Sequence, residues 1–220
     1  IRQIFAVNAN IFIRTLALMF SFAFMTVQSS RLGTLVLAAN TLLLNFQTFM
    51  AYGLDGFANA AEALVGKAIG ARERAGLLRA VQVCLQWSFG VSLIFAVGYW
   101  FLGSHLVELL TSLPEVLSTA SEYLPWVVIL PIISVWSFAY DGIFVGATKA
   151  REMRDAMVLS TFGVFVPTWW MSKGLDNHGL WLAFSLFMLA RGVFMHLWFR
   201  RMLSRGDFSF GKRLSDHNVA

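Results

Sequence analysis

Six apolar runs, each about as long as a bilayer's hydrocarbon core is thick, occupy almost the whole chain. A spanning helix needs about 20 largely apolar residues. The runs at 4–27, 35–66, 80–102, 117–146, 155–172 and 179–199 fit that template. No segment reads as an amphipathic strand, and a barrel would show alternating pieces of about 10 residues. Short connections favour helices packed as antiparallel neighbours. The pattern predicts an all-α integral membrane protein: a six transmembrane helix bundle over 1–203, followed by a basic tail at 204–220. Composition agrees, with 58% hydrophobic and 13% charged residues against about 45–50% and about 25% in soluble domains. The chain opens on Ile1 rather than Met, and its first run is a full span rather than a signal segment, so further residues are expected ahead of it.

Charge sets the orientation. Thirteen of the 17 Lys and Arg fall at one set of ends and loops: Arg2; Lys67, Arg72, Arg74 and Arg79; Lys149, Arg151 and Arg154; Arg200, Arg201, Arg205, Lys212 and Arg213. The other side offers only Arg31 and Lys173. Basic loops mark the cytoplasmic face, so both ends are expected there. The net charge of +5 follows from this asymmetry and does not point to nucleic acid.

Two spans exceed what a bilayer requires. Residues 35–66 as one helix would cover roughly 48 Å, with Gly53 and Gly56 as flex points. Pro125 and Pro131 predict a kink in the fourth span and Pro167 a bend in the fifth, because proline lacks the helical N–H and its ring clashes with the preceding turn. Helices broken at membrane depth are tolerated where they line a cavity.

Arg14, Asp55, Asp141 and Arg191 lie well inside spans, and Glu62 lies nearer the basic end. Four such charges, unpaired at mid-membrane, would cost roughly 10–14 kcal/mol, so they must pair, protonate or meet water. Counting from the basic residue that ends each span places Arg14 and Asp55 roughly 18 Å deep and Asp141 and Arg191 about 12–14 Å deep. One reading is two structural Arg–Asp pairs that fix helix register; the other is a protonatable or cation-binding site in a wet cavity. Asp55, Asn59, Glu62 and Gly66 share one helix face, which should turn toward protein or water.

Gly66-xxx-Gly70 and Gly142-xxx-Gly146 permit close helix approach. Trp169, Trp170, Trp181 and Trp198 lie near span ends, as interfacial anchors do. Tyr52, Phe57, Trp136 and Tyr140 are aromatic candidates for ligand contact, with packing as the simpler role. HExxH, GxSxG and P-loop motifs are absent, so no enzyme is indicated. Cys84 has no partner within the chain, and the scattered histidines, His196 among them, have no metal-ligand spacing. No cofactor is implied. "LDGFANAAEALVGKAIGARER" and "YDGIFVGATKAREMRDA" echo one another, each running from Asp-Gly through Val-Gly to Ala-Arg-Glu.

The stretches "RLGTLVLAANTLLLNFQTFMAYGLDGFANAAEALVGKAIGARER" and "WSFAYDGIFVGATKAREMRDAMVLS" resemble the DinF-type branch of the multidrug and toxic compound extrusion (MATE) transporters. "LPWVVILPIISVW" and "GLWLAFSLFMLARGVFMHLWFRR" are similar to the same branch, and the likeness covers nearly the whole chain. The resemblance implies the second six-helix lobe of a twelve-helix secondary antiporter of the bacterial inner membrane. Such proteins exchange H+ or Na+ for amphiphilic, often cationic, organic compounds, and rock between outward-open and inward-open states. It implies the first six-helix lobe and the lipid bilayer as partners. Asp55 and Glu62 match the Leu-Asp-Gly-Phe and Ala-Glu positions, and Asp141 the acid before Gly in the tenth helix. The branch's best-known coupling aspartate lies in the first lobe, outside this chain. The seventh-helix counterpart offers Asn8, Asn10 and Arg14 but no acid, which departs from branches with a second-lobe cation site.

Two other readings remain. A lipid-linked oligosaccharide flippase of the wider superfamily would want a more cationic cavity, with Arg14 and Arg191 unpaired. A non-transporting membrane scaffold would be closed, dry and internally neutralised.

Overall fold

The computed structural model describes residues 2–208, with side chains from residue 7, and those residues are almost entirely helical and contain no strand. The elements are α1 (Arg2–Leu32), α2 (Thr34–Gly70), α3 (Arg74–Leu110), α4 (Pro114–Gly146), α5 (Ala150–Val158), a π-helical stretch (Leu159–Phe165), α6 (Val166–Met171), a 3-10 turn (Lys173–Leu175) and α7 (Asp176–Arg205). Helices α1, α2, α3, α4 and α7 are each long and apolar enough to cross a membrane. The chain is thus an all-α integral membrane bundle. Helix α7 runs to Arg205, past the boundary expected at 203; from residue 209 onward the basic tail lies outside the described residues.

The remaining expected span, 155–172, is continuous but not uniform. It comprises α5, the π stretch and α6, roughly 33 Å in all at about 1.5 Å per residue. Pro167 explains the change of pitch. Its ring would clash with the carbonyl four residues back, and it offers no N–H to the preceding turn. Here the helix widens into i→i+5 bonding over the residues just ahead of the proline. The bend expected in this span takes the form of a π stretch. Helix α4, by contrast, is unbroken through Pro125 and Pro131.

Helices α1 and α2 are joined by a single residue, Gly33, whose φ of 129° excludes ordinary side chains. The turns after α2 and α4 are built alike. In the first, Ala71, Arg72 and Glu73 donate to Lys67, Ile69 and Ala68; in the second, Ala147, Thr148 and Lys149 donate to Ile143, Val145 and Phe144. Arg72 and Thr148 each have φ of 56°. This pairs Gly70 with Gly146, so the sequence echo marks shared turn construction. The two Asp-Gly steps sit at different distances from it and are not equivalent.

The most extensive helix contact is between α2 and α4, which run parallel rather than as antiparallel sequence neighbours. A Cβ on Gly142 would overlap the Ala58 carbonyl, and one on Gly146 would overlap that of Glu62. The Gly142/Gly146 pair therefore lets two backbones touch. Gly66 meets only ordinary contact and Gly70 faces open space, so the second small-residue pair has no comparable role.

Two cores flank mid-depth. One, built around Leu43, Phe165, Trp181, Phe184 and Phe187, lies toward the end where α1 stops. The other, around Val65, Leu77, Tyr140, Phe144 and Phe199, lies toward the basic end, where α2 and α7 stop. Trp169 and Trp181 are buried core residues rather than interfacial anchors; Trp170 alone of the four expected anchors is fully exposed. The Trp181 indole donates to Asn40 Oδ1 (2.9 Å), and Asn40 exchanges bonds with Asn177 (2.7 and 3.0 Å) and donates to Ser29 (2.7 Å). This buried network ties α1, α2 and α7 together with every Asn40 side-chain atom satisfied, the condition for burying polar groups.

Candidate functional site

Between the two cores, α1, α2, α4 and α7 leave a cavity of about 430 Å³. Helix α2 contributes a stripe running from Gln47 and Thr48 through Ala51, Asp55 and Ala58 to Asn59 and Glu62. These residues recur every three or four positions, so the polar face anticipated for α2 is the cavity wall. Arg14, Leu18 and Phe22 enter from α1, Asp141 from α4, and Met188 and Arg191 from α7.

The four mid-membrane charges meet here, in an arrangement other than two pairs. Arg191 Nη2 donates to Asp141 Oδ2 at 2.8 Å, and Arg14 Nη2 donates to the same oxygen. One carboxylate therefore joins α1, α4 and α7. Arg191 is only 2% exposed; its other amino group lies 3.4 Å from Met188 Sδ, and its guanidinium sits 5.7 Å from the Phe187 ring centroid. That ring face is a favourable place for a buried cation. The Nε groups of Arg14 and Arg191 are buried without partners.

Asp55 lines the same cavity, exposed, and makes no hydrogen bond or ion pair among the described residues. It lies in the electrostatic range of both Arg14 and Asp141. Because Ala58 touches Gly142 and the pair runs parallel, Asp141 is level with residue 57, and Asp55 stands about 3 Å farther along, toward the start of α2. Asn59 and Glu62 are likewise exposed on the cavity side and without internal partners among the described residues. The triad of Arg14, Asp141 and Arg191 carries a formal +1, and Asp55 with Glu62 brings the lining to −1.

Sequence reasoning missed Gln47. It is buried, lines the cavity, and neither its amide nitrogen nor its oxygen has a partner. Extending the Asp55 face two turns toward the start of α2 would have reached it. Tyr52, Phe57, Trp136 and Tyr140 do not line this cavity. His196 is exposed and held by the Tyr140 hydroxyl (2.6 Å) rather than packed in the core. No group of His, Cys, Asp and Glu able to hold a metal ion occurs among the described residues.

A family model described as MatE matches residues 11–170. The chain belongs to the MatE family. It is 42% identical over 207 residues to the DNA damage-inducible protein F of Escherichia coli K12, covering 94% of this chain and 45% of that protein. The fold is similar to that of the Vibrio cholerae MATE transporter VcmN in the bent form, with a TM-score of 0.80 and 21% identity over 90% of this chain and 45% of that one. It is also similar to a Pyrococcus furiosus transporter of the MOP superfamily, with a TM-score of 0.78 and 22% identity over 96% of this chain and 48% of that one. The latter is described by a reversed polarity of its binding pocket. The chain spans about half the length of the relatives it matches. The MatE family is a family of membrane transporters.

Proposed function

We propose that this chain is the second six-helix lobe of a multidrug efflux antiporter, working with a first lobe in a bacterial inner membrane with both its ends cytoplasmic. The complete protein exchanges an external H+ or Na+ for an internal amphiphilic, often cationic, organic compound. Within this lobe Asp55 is the carboxylate available to a cation. Asp141 is the hub that positions Arg14 and Arg191, and Asn59 and Glu62 extend the polar wall toward the basic end. The observation that carries this reading is the unequal treatment of two acids in one cavity: Asp141 is held by two guanidinium groups, while Asp55 has no partner among the described residues.

Drug efflux from proteoliposomes containing the complete transporter tests it. Asp55→Asn is expected to abolish ion-coupled efflux while leaving the protein folded. Efflux by Asp55→Asn equal to that of the unaltered protein would remove Asp55 from the site.

The uncompensated charge of the triad gives the lipid-linked oligosaccharide flippase reading one point of support, since a pyrophosphate seeks guanidinium groups. Asp55 and Glu62 in the same lining weigh against it by making the cavity as a whole anionic. The open cavity and its unpaired acids speak against a passive scaffold.

A further inference from the structure

On the face of α4 turned away from the cavity, α3 and α7 enclose a second groove of about 540 Å³, floored by Trp136 and Tyr140. It lies toward the basic end, where α3 begins and α7 finishes. We propose that this groove holds the headgroup of an anionic phospholipid from the leaflet at that end. The proposal rests on the membrane-spanning fold and not on the transport reading.

The groove is lined by Arg200 and His196 and by no acidic residue. Arg200 is exposed and makes no hydrogen bond or ion pair among the described residues. The Tyr140 hydroxyl occupies His196 Nδ1, so the other ring nitrogen is the one presented to a ligand. Gln82 and Gln86, one turn apart on α3, are exposed in the groove and unbonded. They lie about 12 and 18 Å along the helix from Arg74. Amides at that depth need polar partners, because hydrocarbon offers none. A phosphate with its glycerol oxygens would supply acceptors to Arg200 and to both amides. Deeper in, Phe89 and Trp136 stack at 5.7 Å and 27°, a flat apolar wall for an acyl chain. Helix α3 also exposes Trp87, Ile94 and Phe101, a surface suited to lipid. Basic pockets between helices at the positively charged face are where anionic headgroups bind.

The test uses the complete transporter in detergent, titrated with dioleoyl phosphatidylglycerol, dioleoyl phosphatidylcholine or inorganic phosphate, and read by native mass spectrometry and thermal unfolding. Phosphatidylglycerol is expected to remain bound and raise Tm, with phosphatidylcholine weaker and inorganic phosphate without effect. Arg200→Gln should weaken phosphatidylglycerol binding about five-fold, the equivalent of about 1 kcal/mol per basic residue at an anionic surface. Gln86→Leu should weaken it too. Arg201→Gln, its exposed neighbour outside the groove, should leave binding unchanged. Circular dichroism confirms that each variant is folded. Equal binding of the two lipids, or equal effects of Arg200→Gln and Arg201→Gln, would overturn the proposal. Displacement of phosphatidylglycerol by millimolar inorganic phosphate would overturn it in favour of a free-anion site.

Discussion

Replacing Gly142 by Ala adds one methyl group at the closest point between α2 and α4. That methyl would stand 2.8 Å from the Ala58 Cα and overlap the Ala58 carbonyl. Carbon atoms pack at about 3.5–4.0 Å, so the helices must part by about 1 Å, and both obstacles are backbone that cannot rotate aside. Overpacking of this kind costs about 1–3 kcal/mol. The intrinsic preference of a helix for Ala over Gly returns about 1 kcal/mol, leaving a net destabilisation of up to about 2 kcal/mol. Gly98→Ala is the counterpart, because a Cβ there meets nothing within 4 Å; helix preference then acts alone and should stabilise by up to about 1 kcal/mol. Thermal unfolding in detergent, followed by intrinsic Trp fluorescence, reads both variants. The expected result is a pair of Tm shifts of opposite sign. A Gly142→Ala protein as stable as the Gly98→Ala protein would refute backbone-to-backbone packing of α2 on α4.

Asp141→Asn should be strongly destabilising, by about 3–5 kcal/mol, because it strips buried cations of their counter-charge. Asp55→Asn should stay within about 0.5 kcal/mol of the parent, as substitutions at exposed, unbonded sites do; denaturant titration separates the two. Asn40→Ala removes four hydrogen bonds at once and leaves the Trp181 indole N–H buried without its acceptor. A loss of about 1–3 kcal/mol is expected, read by unfolding and by a changed Trp emission. Gly33→Ala forces a side chain onto a φ of 129° in the one-residue link between α1 and α2; about 1–3 kcal/mol of strain is expected, with protease cleavage at the link as the assay.

Hydrophobic run length revealed the bundle because lipid leaves a spanning chain one economical way to satisfy its backbone. The polar face of α2 was equally readable, since Asp55, Asn59 and Glu62 need only the helical repeat to be placed on one wall. Pairing was not readable. Arg14, Asp141 and Arg191 belong to three helices, and counting residues from basic ends resolves depth only to about a turn. That is too coarse to show two arginines converging on one oxygen. Trp181 illustrates a second limit. Position near a span end suggested an interface, but the acceptor its indole N–H needed, Asn40 Oδ1, came from a helix about 140 residues away in sequence. The pitch change before Pro167 was legible as a disturbance, and its form depended on how the neighbouring turns relaxed.

The glycine contact between α2 and α4 has a consequence for the cavity. It clamps the two helices that carry Asp55 and Asp141 into one frame, so the spacing of the two acids behaves as a fixed dimension of the lobe. Helix α1 packs chiefly on α5, α2 and α7 and reaches α4 at this level through the Arg14 side chain. The adjustable quantity in the cavity is then the position of a single guanidinium on a long, flexible stem, within electrostatic range of one acid while bonded to the other.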